Sequence, residues 1–461
     1  MRHVSPFALF AGLAAFALAA FAPAILNDGD TYWHIRAGEW MLAHHAVLRA
    51  DVFSYTVAGI AWHTQEWLAE VLMALAWQGG GWAAIHLLFA VAAAATAGVV
   101  AGFVEKRAAF VPALVLVVLG LGCITGSLLA RPHTLSLPLL AIWTAGLAAA
   151  REQNRAPHWA LVVVMPLWAN LHGSFAFGLA LAGALAMEAV LENEQRGRAL
   201  RDWGLFLLAA TLSAMLTPFG FHALLFPIQL SGMSALGHIG EWQPSDFARL
   251  SPFAVALLAA FFFFGRGIVR VPTLRLLMTV GIVWLALSHA RHQMLFGVTM
   301  PILLAPSLGA AWPAAGDTRF RTIFASIAAF LLVAMVTLRL SIPVARPENP
   351  ATPAAALAHV PLELRAGPVL NEYAFGGYLI WQGVKPFIDS RADLYGDRFV
   401  SDYARIIAPD PEALKAALNK NRVRWTMFAA NSPVALQMDS LPGWHRIYGD
   451  GIAVVHARAA R

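Results

Sequence analysis

Long apolar segments alternate with short polar loops from the N-terminus to about residue 342. A helix needs about 20 apolar residues to cross the hydrocarbon core of a bilayer, and fewer where it ends inside the protein. The pattern predicts about eleven transmembrane helices, and the short fifth one is expected to end below the membrane surface, where it meets Asn170. The predicted spans are residues 6–26, 82–104, 109–127, 133–150, 157–170, 174–191, 203–217, 251–265, 273–289, 293–312 and 320–341.

The loop after the first span, residues 27–80, has a different pattern. Apolar residues, two tryptophans among them, recur at helical spacing over residues 31–44. This spacing is typical of an interfacial helix with its tryptophans at headgroup level. Residues 51–56 alternate and predict an extended conformation. A connecting helix at about 66–78 is too polar at its start to be a separate span.

The composition changes at Pro343, where four closely spaced prolines predict a linker over residues 343–366. Residues 367–461 then alternate between short strand and helix patterns, which predicts a small α/β domain. The predicted pieces are strands at 369–370, 386–388 and 424–429, helices near 378–381 and at 411–419, and a hairpin at 444–456. The fold class is therefore a mainly α, polytopic helical bundle over residues 1–342 with a C-terminal α/β domain.

The composition supports this fold class. The chain is 59% hydrophobic and 13% charged, with a mean hydropathy of +0.63, whereas soluble domains are about 25% charged. The net charge of +6 lies mostly in short loops, so no nucleic-acid partner is expected. The single cysteine, Cys123, lies inside a predicted span and can form no intramolecular disulfide.

The distribution of lysine and arginine predicts the orientation, because short cytoplasmic loops carry the excess of these residues. One set of loops holds thirteen of them: Arg2, Lys106, Arg107, Arg151, Arg155, Arg196, Arg198, Arg201, Arg266, Arg270, Arg275, Arg319 and Arg321. The opposite set holds five: Arg36, Arg49, Arg131, Arg249 and Arg291. We therefore expect a cytoplasmic N-terminus, with the first loop and the C-terminal domain on the outer side.

Asp28 and Asp30 lie where the chain leaves the first span. A carboxylate at a membrane boundary can act as a general base for an acceptor hydroxyl, and two of them can hold a divalent cation against a phosphate. Alternatively, the Asp-Gly-Asp sequence forms a solvated turn or caps the helix that follows. The other polar residues at outer span ends favour a functional role.

These other polar residues are expected to converge on the acidic pair, because ionisable groups at membrane depth usually face a cavity or a partner. Arg131 and Arg291 are suited to bind the phosphate of a lipid carrier, with His133 and His292 as further donors. The alternative is that the arginines anchor to headgroups and each histidine makes a structural hydrogen bond. The residues expected to line the cavity are His34, Asp51, Glu66, Asn170, His172 and Glu241.

Three further features bear on the chemistry of the site. The histidines could form a metal site, although their spacing does not follow a recognised ligand pattern. A divalent cation at Asp28 and Asp30 is a separate alternative. Gly376 and Gly377 lack the glycine spacing of a dinucleotide-binding fingerprint. The polar run at residues 387–396 either completes a turn or faces the membrane cavity.

The order of these features resembles the GT-C superfamily of integral-membrane glycosyltransferases. The resemblance covers an acidic pair after the first span, a first outer loop of two interfacial helices, about ten further spans and a C-terminal extracytoplasmic domain. Protein O-mannosyltransferases and lipid A aminoarabinose transferases are distant relatives of this kind. The chain looks most like bacterial members of the superfamily, on the stretches at residues 28–34, 168–173 and 387–393.

The resemblance implies a multi-pass protein of the bacterial inner membrane that transfers a sugar from a polyprenyl-phosphate carrier to an extracytoplasmic glycan, lipid or protein. In this family an aspartate of the first outer loop deprotonates the acceptor, a role that would fall on Asp28 or Asp30. Because Asp28 is followed by glycine and not by a second acid, the choice between them stays open. The alternatives are a transporter or flippase of lipid-linked sugar and a non-catalytic scaffold for envelope assembly.

Overall fold

The computed structural model describes residues 5–314 and 322–459, so Arg2, Arg319 and Arg321 of the predicted charge bias lie outside the described residues. Each predicted span contains a helix. The helices up to residue 341 are α1 (Pro6–Phe21), α2 (Asp30–His44), α3 (Trp67–Val104), α4 (Phe110–Ile124), α5 (Pro132–Glu152), α6 (Val164–Leu171), α7 (Phe175–Glu192), α8 (Arg196–Ala214), α9 (His222–Ser231), α10 (Pro252–Gly265), α11 (Thr273–Ser288), α12 (Gln293–Ala311) and α13 (Thr322–Ser341).

Within the described ranges, six helical segments are long and apolar enough to cross a membrane. They are Trp67–Val104, Phe110–Ser127, Pro132–Glu152, Phe175–Glu192, Ala290–Ala311 and Phe324–Ser341. Shorter apolar helices account for other predicted spans, including the fifth, which ends at Leu171 directly after Asn170. The polytopic helical architecture is confirmed, and the count of eleven spans stays a prediction.

Helix α3 contains a break that the sequence pattern predicts. Gly80 and Gly81 have non-helical backbone angles, and Gly81 has φ +57°, a conformation that glycine adopts at little cost. The break separates a helix starting at Trp67 from the long apolar helix that ends at Val104. The connecting helix and the second span are therefore distinct, as predicted.

The chain forms two compact units. The helical unit comprises Met1–Ala22, Gly79–Ile228 and Ile239–Pro343, and the sheet unit comprises Pro23–Gln78, Gln229–His238 and Val344–Arg461. In the helical unit, α4 and α12 cross where neither has a side chain: a Cβ on Gly297 would lie 2.4 Å from the carbonyl oxygen of Gly120. The two glycines therefore allow the backbones to approach closely, as small residues do in membrane helices.

The sheet unit contains the remaining elements. They are α14 (Ala354–Ala358), α15 (Leu362–Arg365), β1 (Val369–Asn371), α16 (Gly376–Trp381), α17 (Ala392–Ile407), α18 (Pro411–Lys420), β2 (Trp425–Ala429), α19 (Pro433–Asp439), β3 (Trp444–Gly449) and β4 (Ala453–Arg458). The sheet order is β1-β2-β4-β3, with β1 parallel to β2 and the other pairs antiparallel. The small α/β domain is confirmed. The predicted linker contains α14 and α15, and the first loop packs with this unit, so the division at residue 343 stays a prediction.

Two local predictions are wrong, and side chains explain both. Residues 386–388 do not form a strand, because the Asn371 side chain takes up the backbone groups that a neighbouring strand would use. Its Oδ1 accepts from the amide of Phe387 at 2.8 Å, and its Nδ2 donates to the carbonyl of Ile388 at 2.8 Å. Residues 51–56 are not extended, because the Asp51 carboxylate accepts from the amide of Ser54 at 3.0 Å and turns the chain.

Candidate functional site

The acidic pair lies at the N-terminus of α2, in the sheet unit. Asp28 is only 5% exposed, and its Oδ1 accepts from the amide of Asp30 at 3.2 Å. Asp30 is the first residue of the helix, where the positive end of the helix dipole stabilises a carboxylate. Gly29 is the N-cap residue and no side chain caps the helix, so Asp28 instead closes a turn just before α2. The role of either carboxylate as a base stays a prediction.

The start of α2 packs closely on α16. A Cβ on Gly377 would lie 2.1 Å from the carbonyl oxygen of Gly29, so a larger residue cannot occupy this position without moving the acidic pair. The Gly376-Gly377 sequence thus serves close packing. The interfacial placement predicted for Trp33 is not realised in this unit, because Trp33 is buried and donates to Ser390 Oγ at 2.9 Å.

Arg346 is a cation near the acidic pair that the sequence analysis missed. Its guanidinium lies 4.5 Å from the ring centre of Tyr32 and donates to the carbonyl of Leu26 at 2.8 Å. Burial lowers the pKa of Arg346 below its ordinary value, while the charges of Tyr32 and Asp28 act in the opposite direction. No motif marks this arginine, which lies three residues after one proline of the predicted linker and directly before another.

His34 and Glu66, two of the predicted cavity residues, come together in the sheet unit. His34 Nδ1 lies 3.2 Å from Oε1 of Glu70, and His34 Nε2 lies 3.9 Å from Oε2 of Glu66. Glu70 was missed by the sequence analysis, although it follows Glu66 by one helical turn and so shares its face. The imidazole is thus held between two carboxylates.

Asp51, also predicted to line the cavity, belongs to a closed ion cluster. Arg391 donates to Asp51 Oδ1 at 2.8 Å and to Asp389 Oδ2 at 2.6 Å, and none of the three side chains is exposed where they pair. Burial raises the pKa of Asp51, but Arg391 and the hydrogen bonds from Ser54 and Phe53 outweigh it, so the pKa lies below its ordinary value. The role of Asp51 beside a substrate stays a prediction.

In the helical unit, the two predicted phosphate-binding arginines meet at one carboxylate. Arg131 Nη1 donates to Glu241 Oε2 at 2.9 Å, and Arg291 Nη1 donates to Glu241 Oε1 at 3.0 Å. The Arg291 guanidinium also stacks over Trp242, 4.4 Å from the ring centre. Burial raises the pKa of Glu241, but the two guanidiniums outweigh it and hold the pKa below its ordinary value. The structure thus brings together three predicted site residues.

The histidines and the asparagine predicted for this site hydrogen-bond to other groups of the protein. His133 Nε2 lies 2.7 Å from the carbonyl oxygen of Ser127, and His292 Nδ1 lies 3.3 Å from that of Leu285. Asn170 Nδ2 donates to the carbonyls of Pro166 and Leu216, and His172 Nδ1 lies 2.8 Å from Ser174 Oγ. These contacts favour the structural interpretation, although the rings of His133 and His172 lie 6.0 Å apart.

The predicted site residues therefore fall into two groups. Asp28, Asp30, His34, Asp51 and Glu66 belong to the sheet unit, and the other seven belong to the helical unit. In the described part of the chain, no group of three or more His, Cys, Asp or Glu side chains is arranged to hold a metal ion. Asp28 and Asp30 thus gain no third protein ligand of these types, and a cation there stays a prediction.

Comparison with known proteins identifies similar structures but no matching sequence family. No protein-family model matches the sequence, and no curated protein matches it. Oligosaccharyltransferase AglB from Archaeoglobus fulgidus, solved with an inhibitory peptide and a dolichol-phosphate, has a similar structure at TM-score 0.56 and 12% identity, over 98% of this chain and 74% of that one. ArnT from Cupriavidus metallidurans, bound to undecaprenyl phosphate, is similar at TM-score 0.51 and 13% identity, over 97% of both chains. The chain has the fold of the GT-C membrane glycosyltransferases, as predicted.

Proposed function

We propose that this protein is a glycosyltransferase that moves a sugar from a polyprenyl-phosphate carrier to an extracytoplasmic acceptor. The observation that carries the proposal is the fold, which extends over 98% and 97% of this chain in two structures that hold a polyprenyl phosphate. The chemistry of the site residues agrees with it. The chain offers carboxylates at the start of α2 and a pair of arginines in the helical unit that is suited to an anion.

The reaction assigned to these residues is a displacement at the anomeric carbon of the donor. The acceptor oxygen forms a bond to this carbon as the bond from carbon to phosphate oxygen breaks, and the electron pair leaves with the phosphate. The acceptor proton passes to Asp30 or Asp28. Arg131 and Arg291 stabilise the charge that develops on the polyprenyl phosphate. Asp30 is our first choice as base, because it stands at the start of the helix.

The proposal is tested by reconstituting the purified protein in liposomes with a panel of undecaprenyl-phosphate sugars. Transfer should release undecaprenyl phosphate, which is quantified chromatographically, and a variant lacking both aspartates should release none above background. A flippase would instead move intact lipid-linked sugar across the liposome membrane. Translocation without release of carrier, unchanged in the aspartate variant, would reject the transferase assignment.

The orientation is a separate proposal that rests on the charge bias. Ala58 and Asp402 are exposed residues of the first loop and of α17, so a cysteine at either position can react. With Cys123 replaced by serine, a membrane-impermeant maleimide should label both cysteines in intact spheroplasts. Labelling only after the membrane is opened would reverse the topology.

A further inference from the structure

Glu241 occupies the space between the two arginines that we assign to the donor phosphate. Each of its carboxylate oxygens accepts from a different guanidinium, at 2.9 Å from Arg131 and 3.0 Å from Arg291. This is the geometry in which two guanidiniums clamp a phosphate, with a carboxylate of the protein in the anion's position. Any phosphate that binds both arginines must therefore compete with Glu241.

The cluster is open enough for such an exchange. The side chains of Arg131 and Arg291 are 20% and 18% exposed, and that of Glu241 is 32% exposed. Glu241 lies in a 3₁₀ turn of three residues, Gly240–Trp242, within the long connection between α9 and α10. Its side chain can leave without breaking a long helix. Two guanidiniums left without an anion would repel each other, so one anion has to replace another.

We propose that Glu241 determines the specificity of the arginine pair by exchanging places with the phosphate of the carrier, an inference that rests on the proposed function. The donor is a phosphodiester with one negative charge, the same as the carboxylate. The product is a phosphomonoester, which carries about −1.5 to −2 at neutral pH. Glu241 and the donor phosphate, with equal charges, thus compete evenly for the two arginines. The phosphate gains negative charge as the bond breaks, and it then binds the arginines more strongly than Glu241 does.

This exchange favours the transition state over the bound donor, which is the condition for a faster chemical step. It also gives the product a way to leave, since Glu241 can return to both arginines as the phosphate departs. Glu241 is therefore a positioning residue for the arginines, and it acts on the phosphate only through them.

The test measures the binding of geranylgeranyl phosphate, a prenyl phosphomonoester, to the detergent-solubilised full chain. In Glu241→Gln the competing charge is gone, so the dissociation constant should fall at least about tenfold. In Glu241→Asp the charge is kept, and the dissociation constant should stay within about threefold of the wild-type value. Asp246→Asn is the control, because Asp246 is exposed on the same connection and caps the amide of Ala248 at 2.8 Å.

The outcomes separate this inference from the proposed function. Unchanged or weaker binding by Glu241→Gln overturns the exchange, and so does an equal gain in Glu241→Asp, which would mean that a loosened loop and not the lost charge is the cause. Binding of the probe by wild type, with no gain in Glu241→Gln, leaves the donor site intact and rejects only the role of Glu241. If the wild-type protein and all three variants fail to bind the probe, the donor site itself is wrong and this inference falls with it.

Discussion

The chain contains two arginine–carboxylate clusters with opposite ratios of arginine to carboxylate. We call them the open cluster (Arg131, Glu241 and Arg291) and the closed cluster (Asp51, Asp389 and Arg391). In the helical unit, two arginines share Glu241, and their side chains are about a fifth exposed at 20% and 18%. In the sheet unit, one arginine, Arg391, is shared by Asp51 and Asp389, and none of these side chains is exposed. The open cluster can exchange its anion, whereas the closed cluster can only hold the fold together.

Aromatic rings surround the arginine of the closed cluster. The Arg391 guanidinium lies 4.9 Å from the ring centre of Trp62 and 5.4 Å from that of Phe53, and the hydroxyl of Tyr395 donates to Asp389 at 2.9 Å. Residues of the first loop and of the C-terminal domain thereby share one buried charge. This cluster lies in the same unit as the acidic pair.

The largest expected effect is on folding, from removing the shared arginine. Arg391→Met leaves Asp51 and Asp389 as buried carboxylates without their cation, which should cost about 3–5 kcal/mol of stability. Arg131→Met, in the open cluster, should cost about 1 kcal/mol or less. Thermal unfolding in detergent measures both, with Arg398→Met on the exposed side of α17 as the control. Equal losses for Arg391 and Arg131 would remove the distinction between the clusters.

The next effect is on turnover, from the acidic pair. Asp30→Asn and Asp28→Asn should each keep the fold, and at least one should lower transfer by about 10² to 10⁴, the usual loss when a general base is removed. Glu39→Gln is the matched control, because Glu39 is a carboxylate of the same helix that pairs with Arg36 at 2.7 Å. Wild-type rates in both asparagine variants would exclude a base at this position.

A smaller effect is expected in the open cluster when its charge is kept. Arg291→Lys should weaken donor binding by about tenfold, the value of one lost charge-assisted hydrogen bond. Arg131→Lys should weaken it less, because Arg291 also stacks on Trp242 and has His292 beside it. Arg249→Lys, exposed on the same connection, controls for the loss of a guanidinium. If both arginines only anchor to headgroups, lysine will serve equally well and the affinity will not change.

Predictions that rest on the periodicity of apolar residues were confirmed. Contacts between side chains that are far apart in the sequence were not predicted. Apolar runs predicted the helices and the fold class, and they placed the connecting helix and the second span on either side of the break at Gly80 and Gly81. The same reasoning found Arg131, Glu241 and Arg291 as polar residues at span ends, and the structure joins all three.

Long-range pairing left no such signal. Asp51 and Arg391 are 340 residues apart, and the local sequence around either residue does not indicate that they pair. The strand predicted at residues 386–388 failed for a similar reason, since the amide of Asn371, sixteen positions away, takes the backbone bonds. Arg346 was missed because a single arginine among prolines has no periodicity. These contacts are tertiary, so local pattern cannot specify them.

The smallest expected effect is a pair of opposite pH dependences within the sheet unit. The pKa of Asp51 is lowered in the folded protein, so the unfolded state binds more protons and stability is lost as the pH falls through the folded pKa. Burial raises the pKa of Asp393, against the hydrogen bond from Trp62 and the charge of Arg391. For Asp393 the folded state binds more protons, so stability is lost as the pH rises through and above the unfolded value, about 3.9.

The opposite pH dependences of Asp51 and Asp393 are distinguished by measuring the melting temperature of single variants from acidic to neutral pH. Asp51→Asn should lower the melting temperature at neutral pH by a few degrees and reduce the loss of stability in acid. Asp393→Asn, whose amide oxygen can still accept from Trp62, should raise the melting temperature at neutral pH and steepen the loss in acid. Asp402→Asn, exposed on α17, should follow wild type throughout. Asp51→Asn and Asp393→Asn should therefore shift the melting temperature at neutral pH in opposite directions. A shift in the same direction would mean that Asp51 is not the charged partner of Arg391, or that Asp393 is not destabilised by its charge.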